Sequence, residues 1–388
     1  ARAGGWGDDG KGRNTSNMPE GCYCDMRGWT CPLHKGNEKW RQSHVFTQHV
    51  AYNDPNAAQA AESAGYDGLM TMENRHDPFL PLAVAATSTR RIALLTGVAI
   101  AFPRSPMVIA NLGWDLQSAS DGRFVLGLGS QVRGHNVRRF SVPWSAPAPR
   151  MREYIAALRA IWRCWRDGEK LAFEGAHYNF SLMTPAFVPE PMSAPPPAIT
   201  IGAVGPAMLR VAAEMCDGVR LHPFCTRRYQ EQTVQPLITA ALDKRQRARA
   251  SYEVTGGGFI ATGADDEAVA KKVEWVRQRV AFYGSTRAYW PVLEPHSLED
   301  LGLKLHKMVK SGKWREIAAE ISDDVLALFA VIGRHEEIAG KVAERFSGLS
   351  DAVYASTAPD LGSDMPPGLI ADIQRIPTAF RDFGDSSN

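Results

Sequence analysis

Strand and helix alternate along this chain from His44 onward, and no other feature narrows the fold so far. Residues 43–48 (S-H-V-F-T-Q) read as a first strand. Asp54-Pro55 then opens an Ala-rich helix, with Asp54 as cap and Pro55 at the first position, and Gly65 ends it. Residues 68–72 are predicted as a second strand and 79–87 as a second helix. Residues 92–101 (I-A-L-L-T-G-V-A-I-A) form an unbroken apolar run, which predicts one continuous strand buried on both faces. Ser105-Pro106 caps a third helix running to about Ser118, and residues 124–128 make a fourth strand. A strongly amphipathic helix follows at 151–165, then a hairpin at 173–182 and a Pro-rich loop at 185–197. Strands at 198–203, 218–221 and 254–261 alternate with helices from Gly205-Pro206, at 229–245 and at 266–282. The segments 330–332 and 351–355 bracket a last helix at 336–346.

Such alternation over most of a 388-residue chain makes a parallel sheet, open or closed. An open doubly wound sheet carries a glycine fingerprint after its first strand, but here that strand runs into Gln48-His49-Val50-Ala51-Tyr52. About eight strand–helix units fit a closed (β/α)8 TIM barrel with insertions. The expected organisation is an N-terminal extension at 1–42, the barrel at 43–360, and a C-terminal helix and tail at 361–388.

Lys plus Arg is 44 against 42 acidic residues, a net charge of +2, so a surface built for nucleic-acid phosphates is not expected. No apolar run reaches the roughly 18 residues of a membrane helix, and the first residues lack the apolar core of a secretory signal. A cytoplasmic protein is the expectation. Near the N-terminus, Cys22, Cys24, Cys31 and His34 read C-x-C-x6-C-x2-H. This spacing matches no common structural zinc pattern, so a poorly ordered extension is preferred to a zinc site. The chain opens on Ala1, and Met18 or Met26 is expected to lie nearer a natural start.

In a barrel of this kind, chemistry gathers at the C-terminal ends of the strands. Those positions are Glu73, Asn74, Arg75 and His76 after strand two, and Ala101, Phe102 and Arg104 after strand three. Gly129, Ser130, Gln131 and Arg133 follow strand four, Val204-Gly205 strand five and His222 strand six, while Gly256-Gly257-Gly258 lies in strand seven. No H-x-H, HExxH or carboxylate cluster announces a metal, and none is expected. GxxxxGK[ST] and G-x-S-x-G are absent, and Gly127-x-Gly129 is followed by Gly134 at the wrong distance for a dinucleotide fingerprint. What remains is bare main chain, a helix start and apolar wall, which suits a bound planar cofactor. Gly205-Pro206 opens a helix whose free N–H groups suit a phosphate, or is an ordinary tight turn. Gly127 and Gly129 let a ring lie against main chain, or simply end a strand. His76 is either a loop side chain or an acid–base group, and His222 either a core histidine or a catalytic one. Arg138-Arg139 reads as a solvated pair that an anionic cofactor tail would also suit. Trp162 and Trp165 read as packing residues.

The stretches R-I-A-L-L-T-G-V-A-I-A-F-P-R-S-P-M-V-I-A (91–110) and D-L-Q-S-A-S-D-G-R-F-V-L-G-L-G-S-Q-V (115–132) resemble the bacterial luciferase-like monooxygenase family. M-R-E-Y-I-A-A-L-R-A-I-W (151–162), F-E-G-A-H-Y-N-F (173–180) and A-V-G-P-A-M-L-R-V-A-A-E-M-C-D-G-V (203–219) match further family blocks in the right order. The resemblance covers His44 to about Ala358 and is similar to the branch using coenzyme F420, an 8-hydroxy-5-deazaflavin.

That resemblance implies a flavin or deazaflavin ring across the strand C-termini, backed by a non-proline cis peptide in strand three that maps near Gly97-Val98, with Ala99 to Ala101 following. It implies a cofactor lining from Gly127, Gly129, Ser130 and Gln131, and a phosphate seat at Val204, Gly205 and Pro206. Many deazaflavin dehydrogenases of the family carry an Asp-His pair after strand two. Here Glu73 takes the acidic place and Asn74 the His place, which leaves His76 or His222 as the substitute. The implied activity is hydride transfer between coenzyme F420 and a small organic substrate. The alternatives are an FMN-using monooxygenase that activates O2, or a barrel that has lost its cofactor and only binds. A homodimer is the family expectation, and specificity would lie in the loops 185–197 and 283–313.

Overall fold

The computed structural model describes residues 43–48, 54–355 and 365–383. The stretch with Cys22, Cys24, Cys31 and His34, read above as part of an N-terminal extension and not as a zinc site, lies outside them. In chain order the elements begin with β1 (His44–Gln48), α1 (Pro55–Ala64), β2 (Gly68–Thr71), α2 (Leu80–Ser88) and β3 (Ala93–Thr96). There follow β4 (Ala99–Ile100), α3 (Pro106–Ala119), β5 (Phe124–Gly129), α4 (Arg133–Arg138) and α5 (Pro147–Asp167). The hairpin of β6 (Phe173–Glu174) and β7 (Asn179–Phe180) precedes β8 (Ala198–Ala203), α6 (Pro206–Met215) and β9 (Gly218–Leu221).

Eight parallel strands close on themselves. The order is β1, β2, β3, β5, β8, β9, then β10 (Glu253–Gly256) and β13 (Ala352–Tyr354), which pairs back to β1 with His44 opposite Ala352. The closing contact sets Leu94 of β3 opposite Phe124 of β5. The expected barrel is therefore present, with its helices outside and its strands buried. Local signals place the early elements. Asp54 accepts from the Asn56 N–H at 2.9 Å, Pro55 fills the first turn, and Gly65 at φ 95° ends α1.

Three expectations change. The run at 92–101 is two strands, β3 and β4, which part at the cis Gly97–Val98 peptide, and the Gly97 N–H donates to the carbonyl of Thr71 at 2.7 Å. The run at 254–261 is also two strands. Gly256 and Gly257 take φ 83° and 98°, and beyond them β11 (Phe259–Gly263) leaves the barrel to pair with β12 (Ala330–Arg334). Ala330 and its neighbours thus belong to a separate two-stranded parallel sheet. The helix expected at 229–245 begins earlier and contains a π turn. It runs as α7 (Arg227–Tyr229), a π segment at Gln230–Val234 and α8 (Gln235–Lys244).

Between β11 and β12 the chain inserts α9 (Asp266–Gly284), α10 (Glu299–Lys310) and α11 (Asp323–Phe329). After β12 come α12 (Ile338–Phe346), β13 and finally α13 (Pro367–Gln374). Trp162 of α5 donates to Ala110 O at 3.2 Å and Trp165 meets Trp114 edge-on at 5.5 Å, so both pack the helix layer.

Alternation puts Phe46, Met70, Leu95, Val125, Ala198, Ala352 and Tyr354 in the barrel lumen as their own apolar cluster. The segment after α13 seals the N-terminal mouth. Phe380 meets the His44 ring edge-on at 6.2 Å, and its N–H donates to buried Asp351 at 3.0 Å. A shallow cleft of about 440 Å³ between α12 and α13 lies on this helix layer, away from the strand C-termini. The opposite mouth is where the expected site residues lie.

Candidate functional site

At the C-terminal mouth the wall is largely main chain. Inward positions there are Gly97, Gly129 and Gly202, which continue the inward rows of Leu95, Val125 and Ala198. A Cβ on Gly129 would stand 2.4 Å from Val98 Cγ2, and one on Gly127 would stand 1.9 Å from the Thr96 carbonyl oxygen. These two glycines thus admit the cis turn of strand three, which is closer packing than a vacant shelf. A Cβ on Gly202 would come no nearer than 3.4 Å to Val98, and one on Gly205 would find no atom within 4 Å. Buried Ala101 donates its N–H to Gly129 O at 2.9 Å and ties the turn to β5.

Beyond β5, Ser130 O accepts from Asn136 Nδ2 at 2.9 Å, and Gln131 sits at φ 56° with its side chain accepting from Val132 N–H. This small α4 segment was not foreseen. Arg139 donates to Asn74 O and stacks on Phe140, so of the Arg138-Arg139 pair at least Arg139 ties one loop to another. At the β8 turn, Val204 O accepts from the Tyr229 hydroxyl at 2.8 Å. Gly205 caps α6 with extended backbone and no side-chain acceptor, and Pro206 stands in the first turn.

The acid–base candidates are not brought together as equals. Glu73 has a side chain only 6% exposed, and its Oε2 accepts from Ile100 N–H and from Arg104 Nη1, both at 2.7 Å. Arg104 also donates to Asp77 at 2.9 Å. Burial works against the Arg104 charge, but its bonds to Glu73 and Asp77 outweigh this and raise its pKa. Glu73 therefore buttresses the cis turn. His76 is exposed in the same loop. His222 follows β9 on the inward face, accepts the Phe224 N–H at Nδ1 (2.9 Å), and lies edge-on to Tyr283 and Tyr289 at 4.2 and 4.9 Å. Burial pushes its pKa down to about 3, so the ring is neutral.

Sequence reasoning missed Arg220, and named Tyr283 and Tyr289 only as part of the segment 283–313 expected to set specificity. Buried Arg220 faces the lumen from β9, donates Nε to Thr200 at 2.8 Å and lies over the Phe46 ring at 6.0 Å. The signal for it was present, since alternation places it on the same face as His222. The tyrosines had no local signal, because the insertion brings them to the mouth from far along the chain. Among the described residues no three of His, Cys, Asp or Glu gather to hold a metal ion, and no helix is long and apolar enough to cross a membrane.

A family model described as luciferase-like monooxygenase matches residues 28–351. An uncharacterized protein of Mycobacterium tuberculosis is 45% identical over 84% of this chain and 93% of its own. The 5,10-methylenetetrahydromethanopterin reductase of Archaeoglobus fulgidus is 28% identical over 81% of this chain and 91% of its own. Among solved structures, the coenzyme F420-dependent tetrahydromethanopterin reductase of Methanopyrus kandleri superposes with TM-score 0.68 at 18% identity, covering 86% of this chain and 98% of that one. The oxygenating constituent of 3,6-diketocamphane monooxygenase of Pseudomonas putida, in complex with FMN, gives TM-score 0.60 at 14% identity, with 86% and 98% covered. The structural likenesses speak for the barrel, and the family match and the first relative speak for descent: this chain belongs to the luciferase-like monooxygenase family, whose members are oxidoreductases and monooxygenases.

Proposed function

We propose that this chain is a coenzyme F420-dependent oxidoreductase acting on a small organic molecule. The observation that carries the reading is the main-chain surface at the mouth, where the Gly97–Val98 turn is flanked by Gly129 and Gly202 and stands beside the start of α6, which no side chain caps. The residues present fit such a group, because a planar ring needs bare backbone and its phosphate needs free N–H donors at a helix start. When bound, the deazaflavin supplies a ring carbon that accepts or gives a hydride. In this reading Val98 and Gly202 seat the ring, with Gly97, Ala101, Gly127, Gly129, Ser130 and Gln131 shaping the wall. Val204, Gly205 and Pro206 hold the phosphate.

Glu73 and Arg104 hold the seat in place through Ile100, and that positioning is their contribution to rate. Glu73 already accepts two donors, so proton handling is assigned to His76 in the exposed loop, with His222 as an uncharged hydrogen-bond donor. The same reading carries a cytoplasmic homodimer. FMN shares the ring shape and phosphate placement, so oxygen activation on the same seat is the alternative chemistry.

Equilibrium titration of pure protein with each coenzyme, followed by absorbance and fluorescence, tests the proposal. Tighter binding of F420, and anaerobic turnover, are expected. Preference for FMN with oxygen consumption selects the monooxygenase, and binding of neither coenzyme defeats the enzymatic reading. The variant Gly205→Asp is expected to weaken binding about tenfold or more by setting a carboxylate against the phosphate. Gly205→Ala is expected to change little, since a Cβ meets nothing there. Equal affinity in Gly205→Asp overturns the phosphate placement.

A further inference from the structure

His222, Tyr283 and Tyr289 make a cluster that the coenzyme seat does not account for. Tyr283 comes from α9 and Tyr289 from the turn after it, while His222 follows β9. The three rings touch in every pair: His222 to Tyr283 at 4.2 Å, His222 to Tyr289 at 4.9 Å and Tyr283 to Tyr289 at 5.2 Å. Phe224 closes the group from below, 5.7 Å from Tyr289, and itself stacks on buried Phe329 at 4.4 Å. All three polar residues are part-exposed. Among the described residues nothing hydrogen-bonds His222 Nε2, the Tyr283 hydroxyl or the Tyr289 hydroxyl.

The tautomer follows from the backbone. A main-chain N–H is always a donor, so Nδ1 of His222, which takes the Phe224 N–H at 2.9 Å, carries no proton. In a neutral imidazole the proton then stands on Nε2, and that nitrogen donates. The apolar surroundings that depress the pKa of His222 also raise those of both tyrosines, so none of the three carries charge near neutral pH. Arg279 lies on the Tyr283 side and stacks over Trp275 at 4.8 Å. The cluster is thus a packed aromatic group that carries three uncharged hydrogen-bonding tips, two of which both give and accept. A charged ligand would lose its hydration there without gaining a counter-charge from these three groups.

We propose that His222, Tyr283 and Tyr289 form the substrate-oxygen site of this protein, built to take a neutral carbonyl or hydroxyl compound and to reject a carboxylate of the same shape. The assignment rests on the oxidoreductase reading above. It deepens that reading by naming the substrate class: an alcohol, whose carbinol carbon gives its hydride to the oxidised coenzyme while the hydroxyl proton leaves to water, or in reverse the ketone, which takes the hydride from the reduced coenzyme and a proton from water.

The test uses the full chain without coenzyme, so a failed coenzyme titration leaves it intact. Histidine is labelled with ¹⁵N, and the protein is titrated with acetophenone, 1-phenylethanol and benzoate as probes. His222 is expected to show a protonated Nε2 and bare Nδ1 from pH 5 to 8, and to shift with the ketone and the alcohol but not with benzoate. Tyr289→Phe and Tyr283→Phe, which remove one hydroxyl each, are expected to weaken the neutral probes about three- to tenfold. His222→Gln keeps a neutral donor and is expected to retain more affinity than His222→Leu. A His222 ring that titrates between pH 5 and 8 overturns the proposal. So does benzoate bound as tightly as acetophenone, or no His222 shift with either neutral probe up to its solubility. Phenylalanine variants that bind as the parent does also overturn it.

Discussion

Arg104 and Glu73 meet at 2.7 Å, and each also bonds Ile100: Glu73 accepts its N–H at 2.7 Å, and Arg104 donates to its carbonyl at 3.0 Å. The pair is a clasp on the backbone just past the cis Gly97–Val98 peptide. Breaking a largely buried pair leaves its partner's charge short of solvation. Glu73→Gln is therefore expected to lose about 2–3 kcal/mol in urea unfolding and to weaken coenzyme binding through the displaced seat. A proton-handling role would instead leave stability and coenzyme affinity intact and remove one limb of the pH–rate profile.

The mouth glycines should separate into two kinds. At Gly127 an added methyl meets the Thr96 carbonyl oxygen at 1.9 Å, which is main chain and cannot swing away. Gly127→Ala is expected to cost about 3 kcal/mol or to prevent folding. At Gly202 the nearest atom is a Val98 methyl at 3.4 Å, so Gly202→Ala is expected to unfold within about 0.5 kcal/mol of the parent. Its methyl stands on the proposed ring seat, and coenzyme affinity should fall about tenfold. Calorimetry and coenzyme titration on both variants check this, and a Gly202→Ala protein with full affinity removes Gly202 from the seat.

Local chemistry made much of the fold legible. Asp54, Pro55 and Gly65 fix α1 by cap, first turn and left-handed stop, and Ser105 and Pro106 supply the cap and first turn of α3. Apolar runs marked the barrel strands, but could not show where a run breaks. The break at Gly97 depends on the Thr71 carbonyl 26 residues earlier, and that at Gly256-Gly257 on Gln230 and Ser350, which bond their carbonyls. The site divides the same way. Gly205 and His222 were readable because a helix start and a strand end are local facts. The commitment of Glu73 to Arg104, 31 residues away, and the arrival of Tyr283 and Tyr289 at His222 exist only once the barrel has closed.

His44 and Glu253 face each other at 4.0 Å inside the N-terminal end of the barrel, with Arg220 beside Glu253 and Asp67 and Asp351 near His44. Burial disfavours the His44 charge, yet Glu253, Asp67 and Asp351 outweigh it and raise its pKa; burial likewise opposes ionised Glu253, and His44 and Arg220 outweigh it and lower its pKa. A raised histidine stabilises fully below its unfolded value of about 6.5 and loses that contribution as pH climbs through the folded value. A lowered carboxylate stabilises above its unfolded value of about 4.3 and loses it in acid. Stability from this pair should be greatest between about pH 4.5 and 6.5 and decline on the alkaline side. Urea midpoints measured from pH 5 to 9 should show the decline, and His44→Gln should flatten it. An alkaline slope that survives in His44→Gln assigns it to another group.

Phe380 tests whether the two mouths have separate duties. It is 1% exposed, lies edge-on to His44 at 6.2 Å and against Phe383 at 4.8 Å, and is held by its N–H on Asp351. Phe383 in turn packs on the lumen cluster of Phe46, Met70 and Leu95. Removing the Phe380 ring leaves a cavity at the closed end, and Phe380→Ala is expected to cost about 3–5 kcal/mol. The proposed seat lies at the other end of the strands, beyond a full layer of lumen side chains, so coenzyme affinity per folded molecule should not change. Titration at a temperature where the variant stays folded measures this directly. A parallel loss of affinity would mean that the lumen side chains transmit strain from one mouth to the other, and the division between a stabilising end and a reactive end would have to be given up for this barrel.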